Sequence, residues 1–496
     1  LGIFDGSGSV GSKVRNGWVL ADFERHQGDS YSLIPPSTTG PQYGIYDGFF
    51  DGSYDLGKRT SLDFRAGGYH DHYVGQGETE TGLSQSNDTA SNQSFALTGN
   101  FQLAPSSLLQ VRGYIANYNE GDLTVPIGAS TASPDVTDLA TLGERYHRMD
   151  ATWSQTLGAH QFLQGGYEWV QDLYKGNNRL LGGDAGQQIT TNDLWAQDRI
   201  QLASPLLLTI GVRYQHHSLY GSHTVPKIGL SYRITNHLAY RASFGYGFRA
   251  PDLGQLYYDF ANPAEFYQVI GNPHLRPETS RSINTGFDYR RSRWTGSLNL
   301  YRNDVHNLID YEYIGTPETQ AQLDAILEEY NIPADFDVSL DRMIYLYVNL
   351  DRIYTQGVEV SSQYALTSRV ALRGAYTYLD AYDEINHTEL PNRSRNQGFA
   401  EVRYNDPTHG FTANLRGSLF SSWLLDETGD RAAGYGIWSL YGSKRLRRGA
   451  SFYVAIDNLF NSRDPALHDN PPTYNRPDYG RTFRVGIRYT FSRGER

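Results

Sequence analysis

From residue 206 onward, apolar and polar side chains alternate one by one. Leu208, Ile210, Val212 and Tyr214 interleave with Thr209, Gly211, Arg213 and Gln215; Ile228, Leu230, Tyr232 and Ile234 interleave with Lys227, Gly229, Ser231 and Arg233. A third run sets Leu238, Tyr240, Ala242, Phe244 and Tyr246 against Ala239, Arg241, Ser243, Gly245 and Gly247. A period of two belongs to a β-strand whose faces meet different surroundings. The pattern returns in "WTGSLNLYRND" (294–304), "VALRGAYTYLD" (370–380), "GFTANLRGSLF" (410–420) and "TFRVGIRYTF" (482–491).

The alternating runs reach about ten residues, which suits a tilted crossing of a hydrocarbon layer better than the five or six residues usual in a soluble sheet. The second face carries Arg213, Arg233, Arg241, Arg373, Arg416, Arg484 and Arg488. A sandwich or propeller would bury these charges in its core, whereas a barrel lumen gives them water. Connections come in two sizes. Short ones at 202–208, 233–239, 364–372 and 403–411 carry Asn, Asp, Pro, Ser or Gly, as tight reversals need, and are assigned to the periplasmic rim. Long polar and aromatic ones at 75–94, 119–144, 172–192, 252–280, 303–356, 380–396, 422–434 and 461–480 are expected as loops of the opposite face. Within the longest, Thr316 is the expected N-cap and Pro317 the first residue of a short helix bearing Leu323, Ile326, Leu327 and Tyr330. At roughly 22 residues per strand and connection, the length predicts an all-β, antiparallel transmembrane barrel of about 20–22 strands. "NGWVLADFERHQGDSYS" (16–32) reads as an early strand.

Composition narrows the classes. The net charge of −11 argues against nucleic acid. Cysteine is absent, which removes disulfides, thiolate metal sites and cysteine nucleophiles. No apolar run reaches the length of a spanning helix, and residues 1–30 lack the charged and apolar regions of a signal peptide. The chain begins without methionine, so a mature or truncated product is expected. Neither a G-x-S-x-G elbow nor H-E-x-x-H occurs, and neither an enzyme nor a cofactor site is expected. "GSGSVGSK" (6–13) mimics a phosphate loop without the flanking strand and helix, and no nucleotide site is assigned to it.

Four segments carry a family resemblance: "FRAP" (248–251) with "LYY" (256–258), "GNPHLRPE" (271–278), "AIDNLFNSRDP" (455–465) and "YGRTFRVGIRYTF" (479–491). Together, in this order, they resemble the signatures of TonB-dependent outer-membrane receptors. The motif residues are Phe248, Arg249, Ala250, Pro251, Asn272, Pro273, Leu275, Pro277 and Glu278. The resemblance implies a barrel of about 22 strands in the Gram-negative outer membrane. It further implies import of a scarce, bulky nutrient such as a ferric siderophore, cobalamin or haem, driven through a plug by a TonB-type partner. Membrane lipid and an extracellular metal chelate are the other expected partners. No plug or TonB box is placed before residue 16, so residues 1–496 are expected to be the barrel alone, either with or without its first strand. The strand-terminal aromatic is Phe491, followed by "SRGER" as a periplasmic tail.

Tyr257, Tyr258, Phe260, Phe266 and Tyr267 cluster after "FRAP". They are candidates either for covering a large ligand, since aromatics give contact area at little entropic cost, or for an interfacial belt. Arg249 is expected to point into the polar interior toward a plug or loop. No histidine lies in 252–271, which lowers haem, although "HDH" (70–72) and "HH" (216–217) offer imidazoles. The acidic "DETGD" (426–430) and "DAYDE" (380–384) are read as solubilising rather than calcium-binding. A passive porin-like channel and a soluble β-sandwich or propeller are the alternatives.

Overall fold

The computed structural model describes residues 2–34, 38–79, 82–127, 138–177, 179–181, 185–262, 266–333, 335–336, 338–425, 429–446, 449–462 and 480–489. Of its twenty-seven strands, six are short pieces: Tyr31–Ile34, Asp259–Asn262, Tyr267–Ile270, Thr388–Glu389, Trp423–Leu424 and Arg431–Ala432. The other twenty-one succeed one another as an antiparallel meander from Ile3–Val14 to Thr482–Tyr489, each paired with its neighbours in the chain. This is the barrel wall, and its strand number matches the expectation from chain length.

Alternation sorts its two faces. Outward positions are apolar and open, as at Phe50 (43% exposed), Phe95 (48%), Leu194 (62%) and Val485 (66%). Inward positions hold the arginines, and the structure supplies cross-strand carboxylates for several of them. Arg213 pairs with Asp193, Arg241 with Asp288, Arg373 with Glu401 at 3.1 Å, and Arg484 with Asp457 at 2.7 Å. Arg233 instead donates to the carbonyl of Ser204 across a short turn, at 3.1 Å. Asp193 and Glu401 are themselves buried, so these pairs neutralise charge inside the wall.

Three expectations are corrected. First, most of the long connections are not structureless: Thr60–Thr79 with Gly82–Ala104, Ser107–Pro126 with Asp138–Leu157, and Trp294–Gly315 with Met343–Ala365 run on as two-stranded ribbons far beyond ten residues. There no face has to be apolar along its whole length, and in the last of these ribbons Ile309, Ile344 and Leu346 are buried under the loop helices instead, so the alternation that marks a crossing is lost while the ladder continues. Second, the Gly-Ser stretch 6–13 lies inside a strand, Ile3–Val14, whose twelve residues all pair with Gly17–Gly28; the segment at 16–32 is therefore the second strand of this structure. Third, the loop helix, Gln320–Glu329, is capped by Thr319 in a reciprocal box with Gln322, while Thr316 bonds the Tyr313 hydroxyl at 3.0 Å. Its Leu323 is buried against Ile270, Ile344 and Leu346, with Ile326, Leu327 and Tyr330 packed beside them. Phe491, the residues after it and 463–479 lie outside the described residues.

Candidate functional site

The two receptor-like motifs meet on one ladder. Phe248 and Arg249 end the strand Leu238–Arg249, and Glu278 opens Glu278–Arg291, which pairs with it from Leu238↔Tyr289 to Arg249↔Glu278. Arg249 Nη1 donates to Glu278 Oε1 at 2.6 Å, and the same oxygen accepts the Ile309 N–H at 3.0 Å. Among the described residues the arginine thus finds its nearest carboxylate in the other motif, with Asp252 at 3.8 Å as its second. Phe248 stacks on His223 with ring centroids 3.8 Å apart. Ala250 follows, and Pro251, fully buried and lacking an N–H, turns the chain out of the sheet.

Between the motifs the chain builds a cap. Helix α1, Leu253–Tyr257, starts at Asp252, whose carboxylate accepts the Gln255 N–H while Gln255 bonds back. Leu256 packs with Leu275 and Ile309, and Tyr257 and Tyr347 close around them. The turn carrying Asn272 and Pro273 lies directly on the end of α1. A Cβ at Gly271 would come 2.6 Å from backbone atoms of Leu256, Tyr257 and Tyr258, so the close approach requires glycine. Asn272 Nδ2 donates to the Tyr347 carbonyl at 2.9 Å, and the Tyr220 hydroxyl donates to that of Leu275 at 3.0 Å. Beyond it, Asn307 Nδ2 reaches the carbonyl of Pro277 at 3.4 Å. Both motifs therefore clamp the cap to the wall.

The five candidate aromatics separate into three groups. Tyr258, Phe260 and Tyr267 form a chain of rings, 5.9 Å and then 6.1 Å apart, which continues through Tyr345 at 6.2 Å to Tyr311 and Tyr313. Tyr257 is part of the packing under α1. Phe266 stands apart, 39% exposed at a left-handed turn position (φ 55). The ring chain rests on a buried cation: Arg179 lies 4.1 Å over Phe260, donates to the Tyr258 hydroxyl at 3.2 Å, and pairs with Asp122. Sequence reading missed Arg179 and the hairpin tyrosines; the paired "YEY" (311–313) and "YLY" (345–347) were the available signal, since period-two tyrosines on adjacent strands face one side together.

Carboxyl groups gather beside the cap. Burial, reinforced by the Glu144 carboxylate, lifts Asp172 from the ordinary aspartate range to about 7. Glu144 is raised by its own burial, and one oxygen of Asp172 is buried without a hydrogen-bond partner. Tyr174 and Tyr347 are likewise raised by burial, with Asp252 adding to both. The two therefore stay neutral, presenting hydroxyls and rings.

Other candidates disperse. His70 and His72 alternate with Asp71, which shares the inward face with Tyr69 and Tyr73, so both imidazoles point outward. His216 points outward toward Ser222, whereas His217 is buried against Tyr220, and burial lowers its pKa. Among the described residues no group of three or more His, Asp or Glu is arranged to hold a metal. In "DAYDE", Asp380 accepts from Tyr354 and Gln356, Asp383 caps its own turn, and Glu384 pairs with Arg302 and Arg352. Residues 426–428 of "DETGD" lie outside the described residues.

Comparison with known proteins agrees with this architecture. The family model "TonB dependent receptor-like, beta-barrel" matches residues 18–459. The ferric enterobactin receptor of Pseudomonas aeruginosa is 24% identical over 395 residues, covering 68% of this chain and 49% of its own length. The vitamin B12 transporter BtuB of Vibrio vulnificus is 22% identical over 285 residues, covering 56% of this chain and 39% of its own. The chain spans about half the length, or less, of these relatives. Among solved structures, a mutant of the Pseudomonas aeruginosa ferric enterobactin receptor superposes with a TM-score of 0.74 at 18% identity, over 99% of this chain and 78% of that one. The FrpB iron transporter of Neisseria meningitidis gives 0.71 at 14% identity, over 99% and 79%. These likenesses show the fold.

Proposed function

The chain belongs to the TonB-dependent receptor-like β-barrel family, and from that premise we propose that it forms the wall and mouth of a Gram-negative outer-membrane receptor for a bulky metal chelate, a ferric siderophore or cobalamin. The observation that carries this reading is the chain of rings Tyr258, Phe260, Tyr267, Tyr345 and Tyr311, held above the lumen by the interlocked motifs. Neutral tyrosines give a large chelate both ring area and hydroxyl donors, while the polar lumen below offers a path. Of the candidate contacts, Tyr258, Phe260 and Tyr267 are assigned to the ligand face, exposed Phe266 to its rim, and Tyr257 to support.

Import of a scarce solute needs energy, which we assign to a TonB-type partner acting from the periplasm through a plug. Residues 1–496 are taken to supply the barrel, and the plug is a separate segment. A cavity of about 560 Å³ at the short-turn end of the lumen, bordered by Arg233, Arg241, Asp288 and Arg373, offers charged wall to such a plug. No chemical step is assigned. A passive channel would have no use for a clamped aromatic cap.

The test is binding by the chain reconstituted in lipid vesicles, titrated separately with ferric enterobactin and cyanocobalamin and followed by quenching of intrinsic fluorescence. Saturable quenching by one probe, weakened several-fold in Tyr267→Ala and Tyr345→Ala, is the expected result. An inserted, ion-conducting barrel that neither probe saturates would instead favour the passive channel.

A further inference from the structure

The first five long strands, from Ile3–Val14 to Gly82–Ala104, keep their described carboxylates on one face. Every carboxylate on them whose side chain is described, from Asp5 through Asp51 and Asp71 to Asp88, falls at an inward position. Their outward positions climb from Leu62 and Phe64 above the short turn, through Ala66 and Gly68, to His70 and His72. Arg25 is at a similar height, directly opposite Tyr46, which in turn is opposite His70. Above them the outward side chains include Gln27, Gln42 and Val74, while Asp29, just past the end of its strand, accepts the Gly2 N–H at 3.1 Å and borders a neighbouring cavity with Arg25 and Gln27.

The height is significant. His70 is ten residues from Thr60, where its strand leaves the short turn; His147 is ten from Leu157 and His216 ten from Leu206, and both also face outward. At about 3.3 Å per residue and a tilt near 45°, ten residues climb about 23 Å, close to the height of an outer-membrane barrel's apolar band. The imidazoles therefore mark one level around the wall, the plane where lipid tails give way to headgroups. At Arg25 this level is hollowed into a cavity of about 340 Å³ bordered by Tyr46, His70 and His72. The guanidinium lies 5.2 Å over the Tyr46 ring and donates to Gln27 at 2.7 Å, which leaves further N–H groups facing the hollow.

We propose that Arg25, His70 and His72 form a headgroup site on the outer wall that binds the phosphate of an anionic membrane lipid. The guanidinium fork and two imidazole donors match phosphate oxygens, Tyr46 and the apolar wall below match the glycerol and upper acyl chains, and Asp29, the carboxylate bordering the neighbouring cavity, is engaged by the Gly2 N–H. The same placement removes the "HDH" imidazoles from any role in the lumen. The inference rests on the membrane-spanning reading of the barrel.

The experiment is thermal unfolding of the full chain in zwitterionic detergent, titrated with phosphatidylglycerol, phosphatidylcholine or inorganic phosphate, with lipid retention followed by native mass spectrometry. Wild type is expected to gain stability and retain one or more phosphatidylglycerol molecules, with no response to phosphatidylcholine. The triple variant Arg25→Gln/His70→Gln/His72→Gln should need at least fivefold more phosphatidylglycerol for half the shift. Arg25→Lys/His70→Arg/His72→Arg should restore the response, which separates charge from folding. An identical response in wild type and the Gln variant overturns the proposal, and so does a shift reproduced by inorganic phosphate alone. Failure of wild type to insert into vesicles at all would sink the membrane reading itself.

Discussion

The strand Leu238–Arg249 and the cap that follows it, 250–277, are neighbours in sequence and opposites in what holds them. Along the strand, side chains need only be apolar outward and polar inward, and the ladder to Glu278–Arg291 does the rest. In the cap, each contact is particular: one glycine that α1 can approach, one asparagine bonded to the Tyr347 carbonyl, one buried arginine under Phe260. The wall is specified by a pattern and the cap by individual residues. Substitutions should therefore act by class in the wall and by position in the cap.

The largest effect is expected where the wall departs from pattern and buries a charge. Arg213→Ala strands Asp193, which is 2% exposed and has one oxygen already without a partner, at a cost of about 3–5 kcal/mol. Urea unfolding in lipid vesicles measures it, and a loss under 1 kcal/mol would mean that water reaches Asp193. Next comes Val485→Lys on the outward face, expected to cost about 2–4 kcal/mol at mid-membrane depth by the same assay. Wild-type stability there would argue for a soluble sheet.

In the cap, Gly271→Ala must displace the backbone of α1, at about 1–3 kcal/mol. Hydrogen exchange should show protection lost across 253–275 and kept in the strand Leu238–Arg249; uniform loss would erase the distinction between wall and cap. Asp172→Asn should act through pH. Asp172 titrates near 7 in the folded protein against an ordinary value near 4, so between those values the folded state binds the extra proton and the mouth gains stability as pH falls. Wild type should therefore show cap protection rising from pH 8 to pH 5 relative to Asp172→Asn; a constant difference across that range would contradict it. Smallest is Thr319→Ala, the loss of one exposed N-cap, at about 1 kcal/mol and confined to Gln320–Glu329.

The same division explains what could be read from the chain. Alternation at 206–247 placed strands, and the arginines at 213, 241, 373 and 484 announced a wet interior, because both follow from a period of two. Ile3–Val14 was hidden because six of its twelve residues are glycine or serine, which leave little side-chain pattern to read. The ribbons above the apolar band were hidden for a related reason, since beyond that band no face has to stay apolar and the contrast between the two fades. In the cap, the partnership of Arg249 with Glu278 and of Tyr267 with Tyr345 depends on segments 29 and 78 residues apart in the chain. Thr319 took the cap from Thr316 because Gln322 lies three residues beyond it, as the reciprocal box requires.

The central claim is that the apolar face of the wall meets lipid and the polar face meets water. Because the chain contains no cysteine, single cysteines can be placed at each position from Ala239 to Tyr246 and labelled without background. In vesicles, labels at 240, 242, 244 and 246 should be quenched by spin labels confined to the acyl chains and spared by aqueous iodide, with the reverse at 239, 241, 243 and 245. Aqueous access on one face with no lipid quenching on the other would mean a soluble sheet with a protein core, and would contradict the account.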